Sequence, residues 1–364
     1  MKIAVLGGGN GSFAAAGDFA LQGHEVRLWR RDAQAVASHR ADGSRILVKD
    51  VNGRHDVKLT LVTADIAEAV NGVELILCPA PAFAQADIAS ALAPHLRDGQ
   101  VVFLPPATFG SMIFARAAHD AGNRAQVSFA ETGTLPWLTR KHGPFEVAIT
   151  IRAKRLPVGV FPLHRAEHAL GVIGQVFPGV IEPSGDVLSG ALMNAGPIIH
   201  PPLIVMNGGP IEHFERWDIH KEGTQAAIRR VTDALDAERI RVREALGYGA
   251  PHFPLSHHYA KEGEIWMYGR GSHDRLTDSG DWRERLVLTE HRYMREDLRL
   301  GLSFLVSVAE LAGVATPLAK SFLAIGGAIC GEDFTKAGRS LESLGLGDLD
   351  RRQLQTLLRE GFDR

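Results

Sequence analysis

Short apolar, β-rich runs alternate with alanine-rich stretches of helical length through the first half of the chain. The runs are Lys2–Leu6, Glu25–Trp29, Lys58–Val62, Val73–Cys78, Val101–Leu104, Gln126–Phe129 and Glu146–Ile151. Between several of them lie Ser12–Gln22, Phe83–Leu96 and Ser111–Ala121. Strands buried on both faces read as continuous apolar runs, so the alternation predicts a parallel, doubly wound α/β sheet. Asn52-Gly53 predicts a hairpin interrupting it. After residue 185 the period changes. Thr224–Leu246 puts Ile228, Val231, Leu235, Val242 and Leu246 near one helical face, with Gly247 as its stop. Tyr293–Leu311 reads as another long helix, followed by Thr316-Pro317 and an apolar segment to Cys330. No strand alternation returns, so the expected architecture is α/β plus all-α. The expected domains are 1–185 and 186–364, with the boundary near the Pro183–Asp186 turn.

Composition agrees with two domains: 364 residues exceed what one core usually carries. With 45% hydrophobic and 23% charged residues, a disordered chain is excluded. Forty basic against 42 acidic side chains leave no basic excess for phosphate backbones, so no nucleic-acid partner is expected. Cys78 and Cys330 are too few for a disulfide framework or a four-cysteine zinc site, and a cytoplasmic location is expected. The opening MKIAVLGGGNG has too short an apolar run for a signal peptide. The longest uncharged stretch, Val187–Ile211, contains Asn194, His200 and four prolines. It reads as protein interior, so no membrane partner is expected.

Gly7-Gly8-Gly9-Asn10-Gly11-Ser12 follows the first strand and opens the first helix. Gly7 permits the tight turn, Gly9 lets a pyrophosphate approach the backbone, and small Ser12 takes the third fingerprint position. This predicts a Rossmann-type dinucleotide-binding domain; the bland alternative is a sharp structural turn. Asn10, Gly11 and Pro79 complete the expected cofactor contacts. An acidic residue at the end of the second strand would read the ribose 2′-hydroxyl of NAD. Here Arg30-Arg31 stand instead, and two guanidiniums there predict NADP over NAD, unless they are merely solvated surface.

No HExxH motif or Cys/His cluster has metal-ligand spacing, so no metal is expected, and His257-His258 read as incidental loop residues. His200 lies in MNAGPIIHPPLIVMN, where an imidazole must be hydrogen-bonded to be tolerated. A structural histidine is the competing reading. In HRYMRED, Arg292 and Asp297 open a long helix. At α-helical spacing they stand about 140° apart and cannot share one narrow stripe.

The chain resembles the opine dehydrogenase family (octopine and nopaline dehydrogenases and relatives) along nearly its whole length. The resemblance rests on GGGNGS, ETGTLPW with Arg140, NAGPIIHPP, DALDAERIRVREALG, HRYMREDLRLGL, VATP and GRSLESLGLG, in that order. It implies a Rossmann domain joined to a helical substrate domain similar to the 6-phosphogluconate dehydrogenase C-terminal fold, with substrate bound between them. It also implies reductive condensation of an amino acid with a 2-keto acid by NAD(P)H. By motif position it makes His200 the catalytic histidine, Asp297 its paired carboxylate and Arg292 the anchor of the keto-acid carboxylate. Thr134 would help seat the keto acid, Thr139 would line the amino-acid side, and Asn194 would position nicotinamide or substrate. Small-molecule substrates are the implied partners, and a homodimer is compatible with them. Ala107, Arg299 and Thr139 depart from the family pattern, which leaves the substrate's identity open. The rivals are a hydroxy-acid or glycerol-3-phosphate-type dehydrogenase, which LWRRD resembles, and a non-enzymatic NADP(H)-binding redox sensor. Dehydrogenases of the first kind generally use a helical-domain lysine, and between Asp186 and Arg299 only Lys221 and Lys261 occur, both in polar surroundings.

Overall fold

The N-terminal apolar run becomes β1 (Lys2–Leu6) in the interior of an eight-stranded sheet. A computed structural model describes residues 1–362 and divides the chain into two units. The first comprises Met1–Ala191 together with the chain from Leu357; the second is Leu192–Thr356. The division therefore falls after Ala191 rather than at 185, and the C-terminal end does not belong to the helical domain as expected. His164 Nδ1 lies 3.0 Å from the Arg359 carbonyl, and the Phe362 ring packs against Phe161 at 5.6 Å. Those two contacts hold the returning segment.

The strands of the first unit are β1, β2 (Glu25–Trp29), β3 (Arg45–Asp50), β4 (Gly53–Lys58), β5 (Leu61–Thr63) and β6 (Leu75–Leu77). They continue with β7 (Val101–Leu104), β8 (Ser128–Thr132), β9 (Trp137–Gly143), β10 (Glu146–Arg152), β11 (Leu156–Phe161) and β12 (Ile181–Asp186). The large sheet runs β12-β11-β8-β7-β6-β1-β2-β5, parallel from β5 to β8, with β11 antiparallel to β8. The Glu146 run does not join it. It forms β10 of a second sheet, ordered β4-β3-β10-β9, whose β3–β4 pair is the Asn52-Gly53 hairpin.

The first helix, Asn10–Leu21, is buried from Gly11 to Phe19. Its alanines and glycines suit a helix that is covered on all sides, packed by β1 and β2 of one sheet and by β3, β9 and β10 of the other. Asp18 is its polar anchor: the carboxylate accepts from Trp137 Nε1 at 2.7 Å and from Arg152 Nε at 2.8 Å. The Glu131 carboxylate, fully buried, accepts from the Phe109 and Ser111 amides at 2.9 and 2.7 Å and so holds the start of the Gly110–Asp120 helix. Both ends of the ETGTLPW motif are thus scaffold.

The second unit is helical, but it is not wholly without strands: Trp217–Asp218 and Arg283–Glu284 form a two-residue antiparallel ladder. Its long helix, Ala226–Ala245, buries Ile228, Leu235 and Val242 as predicted, and also Asp236, Glu238, Arg239 and Arg243. Buried charge requires partners. Asp236 accepts from Arg239 Nε at 2.6 Å and from the Leu255 amide at 2.6 Å. Glu238 accepts from the Leu318 and Ala319 amides at 2.8 and 3.0 Å, filling the orphan donors at the start of the Pro317–Cys330 helix. DALDAER thus caps the helix that begins at the proline of VATP. No helix among the described residues is long and apolar enough to cross a membrane.

Candidate functional site

The glycine loop offers a cradle for a dinucleotide. Gly7 has φ +119°, and a Cβ there would lie 2.7 Å from Ser12 Oγ, so the turn requires glycine. A Cβ on Gly9 would meet nothing within 4 Å. That open space sits over the start of the first helix, where Gly9 supplies no side-chain cap and the first N–H groups face an approaching anion. Gly11 packs close to Leu135 and Pro79, which an added Cβ would approach to 2.9 and 3.2 Å. Room, donors and positive dipole end all fit a pyrophosphate. Asn10 and Ser12 turn to the scaffold instead: Asn10 Oδ1 accepts from the Lys141 amide at 3.0 Å, and Ser12 Oγ donates to the Leu6 carbonyl at 3.4 Å.

The two arginines after β2 differ sharply. Arg30 folds back over the loop, with Nε 2.8 Å from where a Gly8 Cβ would stand and its guanidinium 5.6 Å from the Phe13 ring centre. Arg31 is 77% exposed and pairs with Asp87 at 3.1 Å, an ordinary solvated contact. Asp32 caps the Ala33–Ala41 helix through the Gln34 and Ala35 amides at 2.9 and 3.0 Å, so its carboxylate is already engaged.

In the second unit His200 lies in the Gly196–Met206 helix, opened by Asn194, whose Oδ1 accepts from the Gly196 amide at 3.0 Å. His200 Nδ1 stands 2.8 Å from Asp297 Oδ2. The approach does not make a well-aligned N–H···O bond, so the contact is a close histidine–carboxylate approach, and neither atom has another partner among the described residues. The imidazole also stacks on Tyr293, with ring centres 3.6 Å apart and planes 8° from parallel. The Tyr293 hydroxyl lies 2.8 Å from Nε2 of buried His220.

Asp297 is held on a π-helix, Tyr293–Leu302. Its wider turn brings residues five apart nearer in angle than α-helical spacing does, and Arg292 stands at its N-cap. Burial pushes the Asp297 carboxyl up, but His200 and then Arg292 outweigh it and hold the group below the usual carboxylate range. Arg292 is solvent-exposed and has no hydrogen-bond or ion-pair partner among the described residues. A guanidinium beside a carboxylate that belongs to His200 is open to a second carboxylate from solution. The close approach of the two helices depends on glycine: a Cβ on Gly196 would collide with Asp297 Oδ1, and one on Gly301 with Pro197.

His200, Asp297, Arg292 and Asn194 thus gather in the second unit. Thr134 and Thr139 belong to the first. Thr134 is buried just before β9; Thr139 is buried in it, its hydroxyl donating to the Ala148 carbonyl at 2.6 Å, so that proton is committed to the sheet. Gly196, Tyr293 and His220 were not singled out from the sequence. The first two lie inside motifs already quoted; His220 carries no local signal.

Residues 183–330 match the family model described as NAD/NADP octopine/nopaline dehydrogenase, alpha-helical domain. Residues 2–104 match the NAD-dependent glycerol-3-phosphate dehydrogenase N-terminus. An opine dehydrogenase of Arthrobacter sp. (strain 1C) is 29% identical over 350 residues, covering 95% of each chain. Among solved structures, octopine dehydrogenase in complex with NADH and agmatine has a TM-score of 0.74 at 20% identity, covering 100% of this chain and 99% of the other. Yersinopine dehydrogenase with NADP+ bound has a TM-score of 0.63 at 14% identity, covering 99% and 98%. These structural likenesses show a shared fold.

Proposed function

We propose a division of labour among the side chains that proceeds from one premise: this chain belongs to the opine dehydrogenase family. It is an NAD(P)-dependent oxidoreductase acting on CH–NH bonds, and it condenses an amino acid reductively with a 2-keto acid to give an opine. The match to the glycerol-3-phosphate dehydrogenase N-terminus covers residues 2–104, all within the first unit. The observation that carries the site assignment is the close His200–Asp297 contact beside the unpaired Arg292 guanidinium.

Arg292 binds the keto-acid carboxylate through its planar fork, which fixes orientation as well as charge. The amine adds to the keto carbon, and the carbinolamine loses water to give an imine. His200 moves the protons these steps require, with Asp297 at Nδ1 fixing the ring's tautomer and orientation. A reduced dinucleotide held by the glycine loop would supply the hydride for the imine carbon. Asn194 supports the site from the helix start. Thr134 is assigned to the keto acid; the committed hydroxyl of Thr139 leaves it a packing role beside the amino acid.

NADP is assigned as the preferred cofactor on the strength of Arg30 alone, since Arg31 is engaged with Asp87. The test is a panel of amino acids against pyruvate and 2-oxoglutarate, following oxidation of NADPH and NADH and identifying the secondary amine by mass. Turnover without a secondary amine would remove the reaction assignment. A higher kcat/KM with NADH would remove the cofactor assignment.

A further inference from the structure

Phe13, on the buried first helix, carries two cations from separate strands. The Lys141 ammonium on β9 lies 3.8 Å from its ring centre, and the Arg30 guanidinium at the end of β2 lies 5.6 Å from it. His39 stacks on the same ring at 5.6 Å and on Phe145 at 4.4 Å. Neither cation meets a carboxylate. Arg30 donates only a long 3.4 Å bond to the Ala35 carbonyl, and the Lys141 ammonium has no hydrogen bond or ion pair among the described residues. Burial and then Arg30 lower the Lys141 ammonium's pKa, as expected of like charges held together without an anion. A cation–π contact offsets part of that repulsion, but it does not require two cations on one ring. The pair is also tied to the glycine loop: the Lys141 amide donates to Asn10 Oδ1, and Arg30 leans over Gly8.

We infer that Lys141 and Arg30 form a two-cation site for the phosphate monoester on the adenosine ribose, with Lys141 determining the preference for a 2′-phosphorylated dinucleotide. Nothing about Lys141 in the sequence marks it, because it sits on a strand of the second sheet, far along the chain from the nucleotide loop. The inference deepens the NADP assignment above and rests on it.

The experiment titrates NADPH and NADH against the full chain by nicotinamide fluorescence, in wild type, K141M and K141R. K141M should weaken NADPH about tenfold more than NADH, a loss of one charge-assisted contact, and K141R should recover most of it. Equal weakening of both dinucleotides would mean that Lys141 only supports the loop through Asn10, and would overturn the site; so would no change. Should K141M fail to fold, the wild-type protein decides. Adenosine 2′,5′-bisphosphate should raise its Tm more than 5′-AMP does, and equal shifts overturn the inference. Neither probe carries a nicotinamide or needs turnover. A protein that prefers the bisphosphate yet forms no secondary amine loses only the reaction assignment; one that forms opines with no such preference loses only this site.

Discussion

His200 Nδ1 and Asp297 Oδ2 face each other at 2.8 Å across two helices, and the other ring nitrogen of His200 has no hydrogen-bond partner among the described residues. One nitrogen faces a carboxylate and the other is open. Replacing His200 by Ala should therefore cut the reductive rate by about 10²–10⁴-fold while NADPH binding stays nearly intact. Single-turnover rates and fluorescence titration of the same preparation check this. Activity within a few-fold of wild type would mean that the pair is structural.

Arg292 tests carboxylate recognition. Replacing it by Lys keeps the charge and loses the two parallel donors, so KM for the keto acid should rise by about tenfold or more, with a smaller change for the amine partner. Initial-rate kinetics with each substrate varied in turn separate the two. Equal rises in both KM values would contradict the assignment.

Gly196 tests positioning without touching a charged group. Gly196→Ala puts a methyl where Asp297 Oδ1 now lies, so the carboxylate must shift away from His200. A displacement of this size should lower kcat by about 10²-fold. Far-UV circular dichroism and NADPH affinity should stay near wild type. If kcat is unchanged, the carboxylate's position is immaterial and the His200–Asp297 contact plays no part in the chemistry.

Stability against acid follows from a different histidine. His258 is buried beside Ser272 Oγ, and burial, then His273 and Arg229, pull its pKa from 6.5 to about 3. Between those values the unfolded chain binds a proton that the folded chain refuses, so stability falls as pH drops from 6.5 toward 3. His258→Gln removes this titration. Its Tm should start lower at pH 7 and then decline less steeply than wild type down to pH 4. Parallel declines would show that other groups, such as buried His39 or half-buried His252, set the acid response.

Much of the fold could be read from the sequence because its strands are apolar on both faces and its helices carry clear stops. Lys2–Leu6, Glu25–Trp29 and Val101–Leu104 form as expected, and the strand expected at Gln126–Phe129 slides to Ser128–Thr132. What escaped was tertiary. Glu146–Arg152 is as apolar as the parallel strands, so nothing local tells that it pairs with β3 and β9 in another sheet. The return of the chain at Leu357 has no periodic signature either. In the site, His200, Asp297 and Arg292 were recognisable by type and motif, but the geometry that unites them was not. An angle of 100° per residue was assumed for a segment that winds more widely.

That wide winding makes helix pitch and charge alignment a single variable. Five residues separate Arg292 from Asp297, an interval that the wider turn of the π-helix narrows in angle and an α-helix opens. A substitution that merely improved α-helix propensity between them would turn the carboxylate away from the side of the guanidinium without altering either residue. Removing one residue from the same interval would leave four, which an ordinary helix aligns by itself. Sequence length here is therefore as much a part of the chemistry as the side chains, and a variant with a gap at this point would be compatible with the same arrangement of charges.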